Sequence, residues 1–169
     1  MKKEISLDVP FEAAPQGDGG LGCVKMILKY KRVKSLSIQE LSKKYKDEFY
    51  IEEIGWKHDG LIKILNDYEL GAYRKSDQSF IQITDSINNN RPVIVSLRVP
   101  SMNTISEKGI YINRGNDQEQ VGHLCVVVGY DDDNVVIHDP RNIFKYKDFL
   151  HVPKNDFLRV FTGRCIYLE

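Results

Sequence analysis

His123 and Asp139 have the residue types and the spacing for proton-transfer chemistry, because an imidazole moves protons efficiently when a carboxylate fixes its tautomer and orientation. Both lie in the run GHLCVVVGYDDDNVVIHDP, where two β-branched stretches enclose the polar cluster Asp131, Asp132, Asp133 and Asn134. Such a run reads as a β-hairpin with the cluster at its turn. Opposite positions of an antiparallel hairpin keep a constant index sum. His123 and Asp139 fall on that sum or one step from it, with Cβ atoms expected about 5 Å apart. Singly, a histidine that starts a strand and an Asp-Pro that opens a turn are ordinary features; the matched register is what pairs them.

An oriented base needs a nucleophile, and a thiol is best activated in the first turn of a helix, where the dipole and free amides lower its pKa. Cys23 follows the loop Gly17, Asp18, Gly19, Gly20, Leu21, Gly22 and opens the helical stretch CVKMILKYKR. The same cysteine could equally be a core residue, since Cys23, Ile27 and Tyr30 would share one helix face. Cys125 in mid-strand and Cys165 in the last strand read as core residues. The loop also satisfies GxGxxG through Gly17, Gly19 and Gly22, but no apolar strand precedes it and no alternating βαβ units follow, so a dinucleotide is not expected.

Other candidate groups fall away on chemical grounds. His138 is next to Asp139 and faces the opposite side of the sheet, and His58 and His151 have no partners for chemistry. The three-Asp turn lacks the ligand pattern and closing Glu of a calcium loop. Three cysteines without a CxxC pair give neither a disulfide framework nor a zinc set. No metal or other cofactor is expected.

The elements that must position His123 and Asp139 divide the chain in two. ISLDVPF is a short extended opening. Four helices follow: the Cys23 stretch, SIQELSKKY with Ser37 and Glu40 at capping-box spacing, GLIKILNDY, and FIQITDSI opened by Ser79. From Pro92 the period changes to that of strands in PVIVSLRV, HLCVVVGY, VVIHDP and RCIYLE. Helices first and strands second predict an α+β fold with a helical layer on an antiparallel sheet, spanning 1–169 as one domain.

Composition narrows the partners. Lys plus Arg and Asp plus Glu each number 24, so no net field draws the chain to phosphate backbones or anionic lipids, and neither nucleic acid nor membrane is expected as a partner. The basic stretches Lys29 to Lys34 and Lys43 to Lys46 read as solvated helix faces. The N-terminus carries charges and Pro10 where a signal peptide has its apolar run, so a cytoplasmic location with reduced thiols is expected. Oligomeric state is not legible.

These segments resemble the bacteriocin-processing, double-glycine-leader peptidase family, a branch of the papain-like cysteine peptidases. The shared features are VPFEAA, the glycine loop, MILKY, SIQEL, PVIVSL and the closing GHLCVVVGYDDDNVVIHDP. The resemblance implies a papain-like fold and places the family's catalytic His and Asp on His123 and Asp139. Two registers remain for the rest. Counting back from MILKY sets the nucleophilic cysteine of the family on Gly19 and its oxyanion Gln on Ala14, which makes a pseudopeptidase that binds a peptide or protein partner. An insertion in the loop, with the helix starting about one turn later, keeps Cys23 as nucleophile and Gln16 as oxyanion donor. That register implies acyl transfer from an amide or thioester, free or carrier-bound, to water or to an amine.

Overall fold

The β-branched runs from Pro92 onward make the centre of an antiparallel sheet, as their alternation demands. The computed structural model describes residues 3–100, 120–141 and 148–169. Its sheet runs in the order β4 (Ala72–Lys75), β9 (Phe161–Leu168), β5 (Val93–Pro100), β6 (Gln120–Tyr130), β7 (Asn134–His138) and β8 (Leu150–Pro153), and β1 (Ile5–Ser6) pairs with the last residues of β6. Val93, Val95, Leu97, Val126, Val128, Val135 and Ile137 are all fully buried, so the central strands are covered on both faces. This is the expected α+β architecture.

The helical half also follows the sequence, with informative differences at the ends. Helix α2 (Ile38–Phe49) begins at a capping box in which the Glu40 amide donates to Ser37 Oγ and the Ser37 amide to Glu40 Oε2. Helix α4 (Phe80–Asn88) has the same device through Ser79 and Gln82, and α3 (His58–Asp67) starts at Lys57 without one. Several short pieces were not legible, Ala72–Lys75 and Lys154–Val160 among them. Ala72–Lys75 carries no apolar alternation, only Ala72 being buried, and is a strand because it completes the edge beside β9. The seven-residue α5 (Lys154–Val160) is too short to show a helical period and is anchored by Phe157 and Val160.

Helix α1 (Gly19–Tyr30) is the difference that matters most. It starts at Gly19, not at Cys23, so the second half of the glycine loop is helix. Packing explains the composition. A Cβ on Gly22 would stand 2.8 Å from Pro140 Cβ and 2.9 Å from Ala14 Cβ, and one on Gly20 would meet Leu61 at 3.1 Å. Glycines that weaken a helix intrinsically are kept here because neighbouring chain lies against it.

The hairpin register places its polar ends as expected. Val126 pairs with His138 and Val127 with Ile137, before a bulge shifts the register at Gly129. Extended by one residue, this register sets Asp139 against Cys125, on the same face as His123 and diagonal to it. His138 points the other way and is fully buried. Its Nε2 donates to Val9 O at 2.7 Å, and its Nδ1 accepts from the Phe149 amide at 3.0 Å.

Burial lowers the pKa of His138 against the opposing pull of Val9 O, and the Phe149 amide donating to Nδ1 requires the neutral ring. A histidine depressed in the folded state contributes stability that is complete above the unfolded value near 6.5 and is lost as pH falls below it. His138→Gln keeps a donor and an acceptor and does not titrate. Thermal midpoints measured between pH 7 and pH 5 should therefore fall less steeply in His138→Gln than in the parent. Equal slopes would contradict this role.

Candidate functional site

A cleft of about 1220 Å³ opens where the start of α1 meets the sheet. Its described lining includes Gln16, Gly17, Gly19 and Gly20 on one side, and Ser96, Leu97, Gly122, His123 and Leu124 from β5 and β6 on the other, with Pro140 and Arg141 between. Local bonding fixes this arrangement. Gly17, at φ +88°, makes the turn before α1, and the Asp18 amide donates to Pro15 O. The Asp18 carboxylate accepts from Trp56 Nε1 at 3.0 Å, which ties the turn to the small hairpin of β2 (Tyr50–Ile51) and β3 (Gly55–Trp56). Ala14 forms a parallel bridge with Arg141, and its amide donates to Pro140 O at 2.9 Å. The segment that leads into α1 is thus stitched to the segment that follows Asp139.

His123 and Asp139 meet as the hairpin register requires, with His123 Nε2 3.0 Å from Asp139 Oδ1. The His123 side chain is 9% exposed and Asp139 is fully buried. Burial opposes charge on Asp139, but the His123 ring and the Arg141 guanidinium more than reverse it and hold the carboxyl well below the usual range. An ionised Asp139 can only accept, so His123 Nε2–H donates the hydrogen bond. Burial lowers the pKa of His123, Asp139 acts against that shift, and Arg141 adds to it. The imidazole is accordingly neutral near pH 7.

Sequence reasoning did not single out Arg141. Its Nε lies 3.1 Å from both Asp139 oxygens, its Nη2 2.6 Å from Oδ2, and its amide donates to Oδ1 at 3.0 Å. The signal was present in the sequence, because an Asp often accepts from the amide two residues on, as in the Asx-turn of Asp-Pro-Arg.

The remaining sequence candidates separate. Gln16 is exposed on the lip of the cleft. Cys23 is the fifth residue of α1, has no exposed surface and is not among the cleft's lining residues. Burial, reinforced by the charge of Asp139, raises its thiol pKa well above the ordinary range. Gly19 is the first residue of α1 and does line the cleft. A Cβ built there meets only Pro140 Cγ, at 3.7 Å. Cys165 is buried with its pKa raised by burial to about 11. The ligand atoms of Cys125, His123 and Asp139 all lie within 4.8 Å of one another. With Arg141 covering both Asp139 oxygens, that group is a poor cation site, since a guanidinium already supplies the positive charge.

A helix N-terminus facing a sheet-borne His and Asp across a cleft is the geometry of a papain-like site, and the family model for the Peptidase_C39 like family matches residues 7–164. The chain belongs to the Peptidase_C39-like family. No curated protein matches it. Among solved structures, a protein described as a C39-like peptidase from Bacillus anthracis superposes with a TM-score of 0.73 at 19% identity, covering 99% of this chain and 98% of that one. The peptidase domain of Streptococcus ComA, a bi-functional ABC transporter involved in quorum sensing, gives 0.63 at 20% identity, with 97% of each chain covered. A double glycine motif protease from an AMS/PCAT transporter, in complex with its leader peptide, gives 0.56 at 16% identity over 96% of this chain and 93% of that one. The shared fold is therefore that of the C39-like peptidases. Within this Peptidase_C39-like chain, no helix among the described residues is long and apolar enough to cross a membrane.

Proposed function

We propose that this Peptidase_C39-like chain is a pseudopeptidase: it holds a peptide segment in the cleft and forms no acyl-enzyme. The observation that carries the reading is the start of α1 at Gly19. In a papain-like site the thiol stands at the head of this helix, facing the imidazole, and the register that begins the helix at Gly19 leaves that point without a side chain. Cys23 lies four residues deeper, about 6 Å along the helix axis. It is enclosed by core, and its raised pKa disfavours the thiolate that attack requires. A peptide is the favoured ligand class because a related fold is known with a leader peptide bound. The cleft also has an exposed glycine turn and glycine at 122, where chain can approach closely.

The rival is acyl transfer, with Cys23 as nucleophile, Gln16 as oxyanion donor, His123 as acid and base, and Asp139 orienting it. The 3.0 Å His123 to Asp139 contact favours it, since a binding cleft does not need an oriented imidazole. Arg141 supplies a different reason for Asp139 to persist, because the carboxylate organises the 139–141 turn and is fully paired without any catalytic duty.

Intact-mass analysis separates the two. The native protein is incubated with p-nitrophenyl acetate and with a peptide thioester, and its mass is followed at pH 7. The pseudopeptidase reading expects no acyl adduct on Cys23. An adduct that maps to Cys23 and disappears in His123→Ala would establish the acyl-transfer reading instead.

A further inference from the structure

The charge of the cleft is unlike that of the chain. The whole sequence is balanced, with 24 basic and 24 acidic residues. The described lining carries Lys57, Arg74, Arg98 and Arg164 in addition to Arg141, and a single carboxylate, Glu53. Arg141 is neutralised by Asp139. Arg74 has Asp59 at 3.5 Å, but both side chains are well exposed and such a pair is weak. Among the described residues, no carboxylate lies within ion-pair distance of Lys57, Arg98 or Arg164.

The fold sets these cations in order. Arg74 is on β4, Arg164 on β9 and Arg98 on β5, three consecutive strands, and the register sets these three on one face of the sheet, while His123, paired with Leu97 on β6, is on the other at the mouth of the cleft. Through Ile166, Arg74 is level with Ile94, four residues along β5 from Arg98, so the row runs diagonally across two strand spacings and is roughly 16 Å long. An extended peptide of about five residues covers that distance. Lys57 and His58, at the start of α3, stand beside the far end of the row. The pKa of His58 is lowered by its burial and by the charges of Arg164 and Arg74, as a concentrated positive potential requires.

We infer that the cleft selects an acidic peptide, in which two or more Asp or Glu side chains pair with the row formed by Arg98, Arg164 and Arg74. This rests on the peptide-binding reading of the cleft and names its ligand class. A nucleic acid strand would supply negative charge too, but the cleft is poorly built for it. Trp56, the one indole or phenyl ring in the described lining, is 6% exposed and packs edge-on against Tyr50, so it offers no face to a base. Leu124 and Ile54 interleave the charged residues with apolar surface suited to peptide side chains.

The test uses the full chain and two acetylated, amidated decapeptides of leucine, serine and glycine that differ only in carrying four Glu or four Gln. Binding is measured by calorimetry at low and moderate salt. The Glu peptide should bind about tenfold more tightly at low salt, with the preference shrinking as salt rises. The exposed pair Arg74→Gln/Arg164→Gln, checked for an unchanged thermal midpoint, should bring the Glu peptide down to the level of the Gln peptide. Equal binding of both peptides by the parent protein would overturn acidic selectivity and leave peptide binding standing. Binding of neither would overturn both readings. Tighter binding of oligothymidylate than of the Glu peptide would assign the cationic row to nucleic acid.

Discussion

Gly19→Cys should turn an inert cleft into one with a reactive thiol. The new side chain enters at the first residue of α1, where the helix dipole and unpaired amides favour a thiolate, on the wall of the cleft that His123 also lines. Space permits it: the added Cβ makes ordinary contact with Pro140 at 3.7 Å, and Gly19 has no positive φ. The thermal midpoint should stay within the range of ordinary surface changes, about 0.5 kcal/mol of stability either way. Alkylation of the introduced thiol by iodoacetamide at pH 6 should exceed that of the three native cysteines by on the order of a hundredfold, because a first-turn thiol next to an imidazole has a pKa well below the usual ~8.5. The rate should fall in Gly19→Cys/His123→Ala, since the neutral His123 ring can take the thiol proton and the imidazolium so formed holds the thiolate. An introduced thiol no more reactive than Cys165 would mean that Gly19 does not occupy the nucleophile position.

Asp139→Ala should be among the most destabilising single changes at the site, at about 3–5 kcal/mol, because it leaves the Arg141 guanidinium without its carboxylate in a nearly closed setting. It also removes the acceptor of the Arg141 amide and loosens the turn bridged to Ala14. His123→Ala removes the hydrogen bond to Asp139 at the edge of the cleft but leaves Asp139 paired with Arg141, and should cost far less. Denaturant unfolding of both variants checks the order. If Asp139→Ala costs no more than His123→Ala, the carboxylate is not a structural anchor and its service to the imidazole becomes its main role.

The pH dependence follows from the same pairing. The Asp139 carboxyl is held below its unfolded value. Its contribution is therefore complete above about pH 4, where the unfolded carboxyl is ionised, and drains away as pH falls below that value. Asp67 and Glu40 are lowered as well, by hydrogen bonds, and give the parent protein a similar acid limb. The difference between the parent and Asp139→Asn isolates the share due to Asp139. The variant should be less stable at pH 7, and the gap should narrow toward pH 3.

The hairpin was legible in the sequence because strand pairing leaves few choices. A polar turn of fixed position and side chains that alternate faces were enough to bring His123 and Asp139 together and to send His138 the other way. The capping box of Ser37 and Glu40 and the helix start at Ser79 were equally local, each carried by residues within one turn. The start of α1 was not local. Residues 19 to 22 have poor helix propensity, and what makes them helical is the fit of Gly20 against Leu61 and of Gly22 against Ala14 and Pro140, contacts that join distant parts of the chain. That one boundary decides whether Cys23 stands at the head of the helix or inside the core. Strand β4 was hidden for a similar reason, since an edge strand of four residues with three exposed side chains takes its structure from β9 beside it.

Whether Cys23 is a core residue or a nucleophile can be read from alkylation of Cys23, Cys125 and Cys165 in the native protein, followed across pH 5 to 9 and resolved by peptide mass mapping. A buried Cys23 in a pseudopeptidase should label slowly, as should the other two, each rising only with global or local unfolding and none changing on His123→Ala. Rapid labelling of Cys23 well below the ordinary thiol pKa of about 8.5, slowed by His123→Ala, would contradict the pseudopeptidase reading and make Cys23 an activated nucleophile.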